Sequence, residues 1–204
     1  MTTIQLAGLL IVLSFYGSYF AKQRLQRTLG ISTDRLGRGN KPKKTLVIEV
    51  SLKITTFSMA GVQLGSIVMD TRWISFISSN ALRYTGIAAA LAGTMIFIAA
   101  MATMKNSWRA GVDAAQKTEL VTDGLYRFSR NPAFLGFDLF YLGITLAFCN
   151  PVSLLFFVLC TALLHLQIVE EEKFLISAFG AEYVKYRKNT GRYVTLFLKQ
   201  ASSR

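Results

Sequence analysis

"AFLGFDLFYLGITLAFCNPVSLLFFVLCTALLHLQIV", Ala133 to Val169, holds one acid (Asp138), one histidine (His165) and no lysine or arginine. An apolar run of this length is read as membrane-embedded helix. It is broken only at Asn150-Pro151. Proline disfavours helix in the residue before it and starts a new helix well, so two helices meeting in a tight turn are expected. The first, Ala133 to Cys149, has 17 residues. At about 1.5 Å per residue it spans slightly less than the ~30 Å apolar core of a bilayer.

Working outward, Ile4 to Ala21, Leu46 to Met69 and Ala81 to Met104 are apolar stretches of spanning length. Charged residues make up only 17% of the 204, sparse for a soluble domain, and hydrophobic ones 52%. The expectation is one all-α integral membrane domain. It has five transmembrane helices, the last two a tight hairpin, and a cytosolic C-terminal amphipathic helix. Helical spacing at Phe174, Leu175, Ala178 and Phe179 predicts that last helix as a continuation of the fifth span.

The net charge of +12 is placed by these spans. Twenty of the 23 basic residues fall in Lys22–Lys44, Lys105–Pro132 and the tail after Val169, alternating with nearly uncharged connections. The positive-inside rule then puts the N-terminus outside and the C-terminus in the cytosol. The first stretch has no basic residue before it and three soon after it, Lys22, Arg24 and Arg27, so it reads as a retained helix and not a cleavable signal. Topology and attraction to anionic lipid headgroups account for the basic residues. No aromatics interleave a basic face, so nucleic acid is not an expected partner. Cys149, Cys160 and His165 have no metal-ligand spacing, and no metal is expected.

Membrane polar residues come next. Glu49 and Lys53, four apart, are expected to pair along the second helix, with the lysine snorkelling. Gly86, Ala90 and Thr94 form a close-packing face. His165 is expected to bond a neighbouring helix. Asp138 must face a partner or a wet cavity; a pair with Lys53 and a place in a substrate pocket are both open. "GRGNKPKK", Gly37 to Lys44, reads as a flexible basic linker. In "RNP", Arg130 to Pro132, a helix begins at the cytosolic surface. With Arg127 and Arg130, its free amides could cradle an anion; an ordinary basic membrane anchor is the alternative.

"LVTDGLYRFSRNPAFLG", from Leu120, followed by the Asn150-Pro151 turn and "EEKFLISAFGAEYVKY", from Glu171, resembles the isoprenylcysteine carboxyl methyltransferase and phospholipid methyltransferase superfamily. The resemblance covers about Leu120 to Arg192. It implies an S-adenosylmethionine cofactor held at the cytosolic face by Leu120, Val121, Gly124, Tyr126, Arg130, Asn131 and Pro132, and closed by Glu171 and Glu172. Phe134, Asp138, Tyr183 and Tyr186 are substrate-pocket candidates. Residues 1–104 would be three N-terminal helices and 105–204 the cofactor-binding catalytic part.

Methyl transfer from a sulfonium needs alignment and no metal. Glu171 or Glu172 could complement the sulfonium, or serve as base toward an amine. Arg130 or Arg192 could orient a carboxylate. Asn131 stands where the carboxyl methyltransferases have histidine, a feature of bacterial and lipid-modifying branches, so a bacterial inner membrane is expected. The implied partners are a lipidic or prenylated substrate and membrane lipids. A phosphatidylethanolamine-type N-methyltransferase is the alternative. An anionic-lipid-binding scaffold without enzyme activity is the reading from another class.

Overall fold

The structure, a computed structural model, describes residues 1–70, 79–111 and 119–195. Among them are six α-helices: α1 Thr3–Thr28, α2 Lys43–Val68, α3 Asn80–Met104, α4 Pro132–Ala147, α5 Pro151–Phe179 and α6 Ala181–Asn189. Two short 3-10 turns, Lys105–Ser107 and Gly124–Arg127, lie between α3 and α4. Thr2 and Asn150 cap α1 and α5, each through a reciprocal bond with the residue three positions on.

Four helices, not five, are long and apolar enough to cross a membrane: α1, α2, α3 with its 3-10 extension, and α5. The five-span expectation is corrected at the fourth stretch. There α4 has 16 residues, about 24 Å, well short of the apolar core. Pro132 fixes its start, and the chain leaves the helix at Phe148 so that Asn150 can cap α5. In contrast, α5 has 29 residues, about 43 Å, and continues past Val169 to Phe179. Gly180, at φ +55°, ends it and starts the short α6.

The shorter α4 runs antiparallel along α3 with the two backbones nearly touching. A Cβ on Gly93 would fall 2.5 Å from the amide nitrogen of Phe140, and one on Gly136 would fall 2.8 Å from the carbonyl oxygen of Gly93. Only glycine allows this approach, the small-residue packing of membrane helices. Phe15 of α1 closes the core, stacked 3.9 Å from Phe140 and 4.7 Å from Phe97.

Two sets of contacts mark the ends of the bundle. At one end Gln5 bonds the Ile67 carbonyl, Arg83 the Ala147 carbonyl, and Asn150 Ser66. At the basic-rich end Thr45 bonds Glu170, and Gln26 reaches the Lys105 carbonyl. Residues 33–35 pair with Ala110 through two backbone bonds of 2.9 Å. The expected Glu49–Lys53 pair does not form. Glu49, fully buried, takes Lys41 at 2.6 Å and the Gly37 amide at 2.8 Å, while Lys53 pairs with Asp34 at 2.9 Å. Burying the Glu49 carboxylate requires such partners. The stretch expected to be a flexible linker is therefore pinned across the end of the bundle.

Candidate functional site

A cavity of about 630 Å³, the size of a small-molecule site, opens at the basic-rich end. All six α-helices give it at least two residues, α3 through Phe97 and Met104 and α6 through Tyr183 and Tyr186. Its inner part is apolar, with Leu13, Phe20, Phe57, Leu64, Phe137 and Leu164 on the wall. Leu13, Phe20, Phe57 and Leu64 also rank among the exposed large hydrophobics, so the wall continues onto the lipid-facing surface of α1 and α2. Toward the basic-rich end it is polar, with Asp34, Tyr126, Arg130, Gln167 and Glu171, and Lys53 stands deeper along α2.

The first motif block builds one wall. Leu120 and Val121 face the cavity. Gly124 turns the chain at φ +57°, a backbone conformation that costs any other L-residue about 1–2 kcal/mol, and a Cβ there would press on Thr103 at 3.1 Å. That turn buries Tyr126 in the cavity wall. The Tyr126 carbonyl accepts the Tyr186 hydroxyl at 2.6 Å. Burial pushes the Tyr126 and Tyr186 phenols upward and the Tyr183 phenol to about 12, so all three stay neutral.

The second block divides its two glutamates. Glu172 turns away from the cavity into a buried clamp. Arg130 Nη2 reaches Oε1 at 2.7 Å and Arg192 Nη2 reaches Oε2 at 2.8 Å. Asn131 adds a bond at 3.4 Å and also holds the Arg192 carbonyl. The remaining bonds of Arg130 go to the carbonyls of Arg187 and Thr190. Its guanidinium is thus occupied, and the cradle expected from Arg127 and Arg130 is not formed: Arg127 is exposed and off the cavity wall. The bond to Glu172 raises the Arg192 guanidinium above its usual range. Thr195 bonds the Phe128 carbonyl, and the Arg130 amide bonds Gly191, so the clamp ties the C-terminal segment to the start of α4.

Glu171 faces the cavity. Among the described residues its carboxylate has no ion-pair partner and accepts one bond, from Gln167 Nε2 at 3.0 Å. Gln167 Oε1 and the Tyr183 hydroxyl are buried on the same wall; among the described residues neither completes a hydrogen bond of good geometry, the hydroxyl having only the Arg130 guanidinium near it.

Of the cofactor candidates, Leu120, Val121, Tyr126, Arg130, Asn131 and Glu171 line the cavity; Gly124, Pro132 and Glu172 do not. Among the other candidates, Phe134, Tyr183 and Tyr186 line it, and Arg192 does not. Asp138 is off the wall and does not pair with Lys53, which is taken by Asp34; it lies beside Thr161 of α5. His165 bonds Tyr193 at 2.8 Å rather than a neighbouring helix. Gln167, Lys53 and Asp34 were not singled out as site residues by the sequence. Gln167 precedes Glu171 by one helical turn, a spacing that could have flagged it. The Asp34–Lys53 pairing joins distant segments and has no sequence signal.

An unpaired carboxylate beside polar atoms that lack partners fits a ligand carrying a positive charge and hydrogen-bonding groups. S-adenosylmethionine, with its sulfonium, amine and hydroxyls, has that donor set.

Residues 85–177 match the model of the isoprenylcysteine carboxyl methyltransferase (ICMT) family. The chain is 40% identical over 73 residues to protein-S-isoprenylcysteine O-methyltransferase of Saccharomyces cerevisiae, 35% of this chain and 30% of that protein. It is 31% identical over 106 residues to a probable protein-S-isoprenylcysteine O-methyltransferase of Oryza sativa, 50% of this chain and 56% of that one. With the Mus musculus enzyme it shares 26% over 151 residues, 68% of this chain and 53% of the enzyme. The matches thus span between about a third and just over half of these relatives.

Proposed function

We propose that this chain, which belongs to the isoprenylcysteine carboxyl methyltransferase and phospholipid methyltransferase superfamily, is a membrane-embedded S-adenosylmethionine-dependent methyltransferase. Its substrate is a lipidic molecule, an isoprenylcysteine-like carboxylate first. One observation carries the proposal: both motif blocks converge on one cavity whose polar end holds an unpaired carboxylate, Glu171, and whose other end is apolar and reaches the lipid.

When bound, the cofactor would supply a methyl on a positively charged sulfur, the acceptor's lone pair forming the new bond to the methyl carbon as the sulfur–methyl bond breaks and leaves its electrons on sulfur. Glu171 complements that positive charge, with Gln167 fixing the carboxylate's direction. Tyr126 and Leu120–Val121 would form the wall that holds the cofactor, and the Tyr183 hydroxyl and Gln167 Oε1 would be available to its polar groups. Glu172, Arg130 and Arg192 hold the site together through their ion pairs. A carboxylate acceptor needs no base, which suits a site whose second glutamate is locked in ion pairs. The substrate enters sideways between α1 and α2, where the apolar wall meets the lipid. Residues 1–204 act as one unit, because α1 and α2 share the cavity with the 105–204 half. The basic-rich end faces the cytosol, where the cofactor is available, and the N-terminus lies outside. Placement in a bacterial inner membrane rests on Asn131.

The test incubates the detergent-purified chain with methyl-labelled cofactor and, in turn, an S-prenylated N-acylcysteine, phosphatidylethanolamine and a lipid extract. Label in the prenylcysteine that base releases as methanol is the expected result. Base-stable label in the phospholipid would move the assignment to the N-methyltransferase reading. No label in any acceptor, from folded protein, would overturn the proposal.

A further inference from the structure

Three cations stand on the described cavity wall: Lys53, Arg109 and Arg130. Arg130 is occupied by Glu172 and two carbonyls, and Arg109 Nη1 donates to the carbonyls of Asn106 and Trp108. Lys53 differs from both. It sits on α2 within the apolar stretch, where a charge marks function by default. Both its hydrogen bonds go to one carboxylate, Asp34, itself shared with Arg38 at 3.4 Å. An ammonium has three donors, so one remains for the cavity.

Below Lys53, the same face of α2 carries Phe57, Ala60 and Leu64 on the cavity wall. Spacings of four, three and four keep them in one row, about 16 Å of apolar track leading away from the cation. The register of α2 on α5 follows from Thr45 at Glu170 and Thr55 at Cys160. It places Lys53 roughly 13 Å deeper along the axis than Glu171, and the lysine stem points back toward Glu171 because side chains lean to the helix N-terminus. The order along the cavity is carboxylate, cation, apolar track.

From this order we infer that Lys53, positioned by Asp34, is the receptor for the anionic head of a linear amphiphile whose tail lies along Phe57, Ala60 and Leu64. The inference rests on the methyltransferase reading for the fate of that head, not for its binding. It assigns substrate choice to α2 and Asp34, which lie outside the matched 85–177 segment. Lys53 is a positioning residue; no bond of the reaction forms or breaks on it.

The experiment measures binding, without cofactor, of an S-prenylated N-acylcysteine and of its carboxamide to the full chain in detergent, by calorimetry. Wild type is expected to prefer the carboxylate by roughly tenfold or more, the size of a charge-assisted bond. Lys53→Met is expected to abolish the preference while leaving carboxamide affinity and S-adenosylmethionine affinity unchanged, and Lys53→Arg to keep most of it. In turnover, Lys53→Met raises KM and spares kcat. If Lys53→Met does not fold, Lys53→Gln takes its place with the same loss expected. Equal binding of both ligands by wild type, or a preference that survives the loss of Lys53, overturns the inference. Selective binding without turnover leaves the inference standing and removes the reaction; turnover with no effect of Lys53 does the reverse.

Discussion

Glu172→Gln separates the clamp from the site. The glutamate and Arg130 are nearly buried, with side chains 4% and 8% exposed, while Arg192 is 33% exposed. Removing one partner of a buried pair costs about 3–5 kcal/mol, because the other charge stays buried and unpaired. The amide of glutamine makes this worse by turning its own donors toward two guanidinium groups. The Arg192 half, a third exposed, adds at most ~1 kcal/mol. Glutamine keeps one oxygen for Arg130, so the net cost should be about 3–4 kcal/mol. For a chain of this size each kcal/mol moves the melting temperature by about 2–4 °C, giving a fall of roughly 6–16 °C. The assay is built into the protein: Cys149 and Cys160 are free and buried, so a thiol-reactive fluorophore reports unfolding in detergent. Arg192→Ala should cost less in the Glu172→Gln background than alone, since the shared partner is already gone. A melting temperature within about 2 °C of wild type, or fully additive costs, would refute the clamp.

Other outcomes follow from single contacts. Gly136→Leu should drop melting by an amount on the order of 3 kcal/mol or prevent folding, because its Cβ would meet the Gly93 carbonyl and Phe97 amide at 2.8 Å; Gly61→Ala, with nothing within 4 Å, should be neutral or slightly stabilising in the same melt. Gly124→Ala should cost about 1–2 kcal/mol through its positive φ, read as a lower melting temperature, and weaken cofactor binding by displacing Tyr126, read by calorimetry. Glu49→Gln should release Lys41 and the Gly37 turn at a cost of about 3 kcal/mol, visible as faster amide exchange over residues 33–42. Tyr186→Phe, losing one bond to the Tyr126 carbonyl, should cost only about 1 kcal/mol in the same melt.

Hydropathy located every long helix, because an apolar run leaves few alternatives in lipid. It overcounted the crossings because α4 is apolar enough to span yet ends at Phe148, and length is decided by where Asn150 caps the next helix. The motif blocks marked the cavity wall, since Leu120, Val121, Tyr126 and Glu171 fall on it. They could not tell Glu171 from Glu172. Adjacent residues on a helix point about 100° apart, and which one meets two arginines depends on the return of residues 190–195, a contact between distant segments. The same limit misassigned Glu49 and Lys53, whose four-residue spacing suggested each other while the folded loop offered Lys41 and Asp34. Asp138, set in an apolar stretch, leaves a pair with Lys53 and a pocket place equally open in the sequence; its side of α4 lies beside Thr161 and off the cavity wall.

The central claim is that the cavity binds S-adenosylmethionine against Glu171. Calorimetric titration of the cofactor into the purified chain tests it, with Glu171→Gln alongside and both proteins shown to melt alike. The account expects saturable binding by wild type and an affinity at least about tenfold weaker in the variant, the loss of one charge interaction in a water-poor site. No binding by folded wild type would contradict it and favour the lipid-binding scaffold; equal binding by both would remove Glu171 from the site.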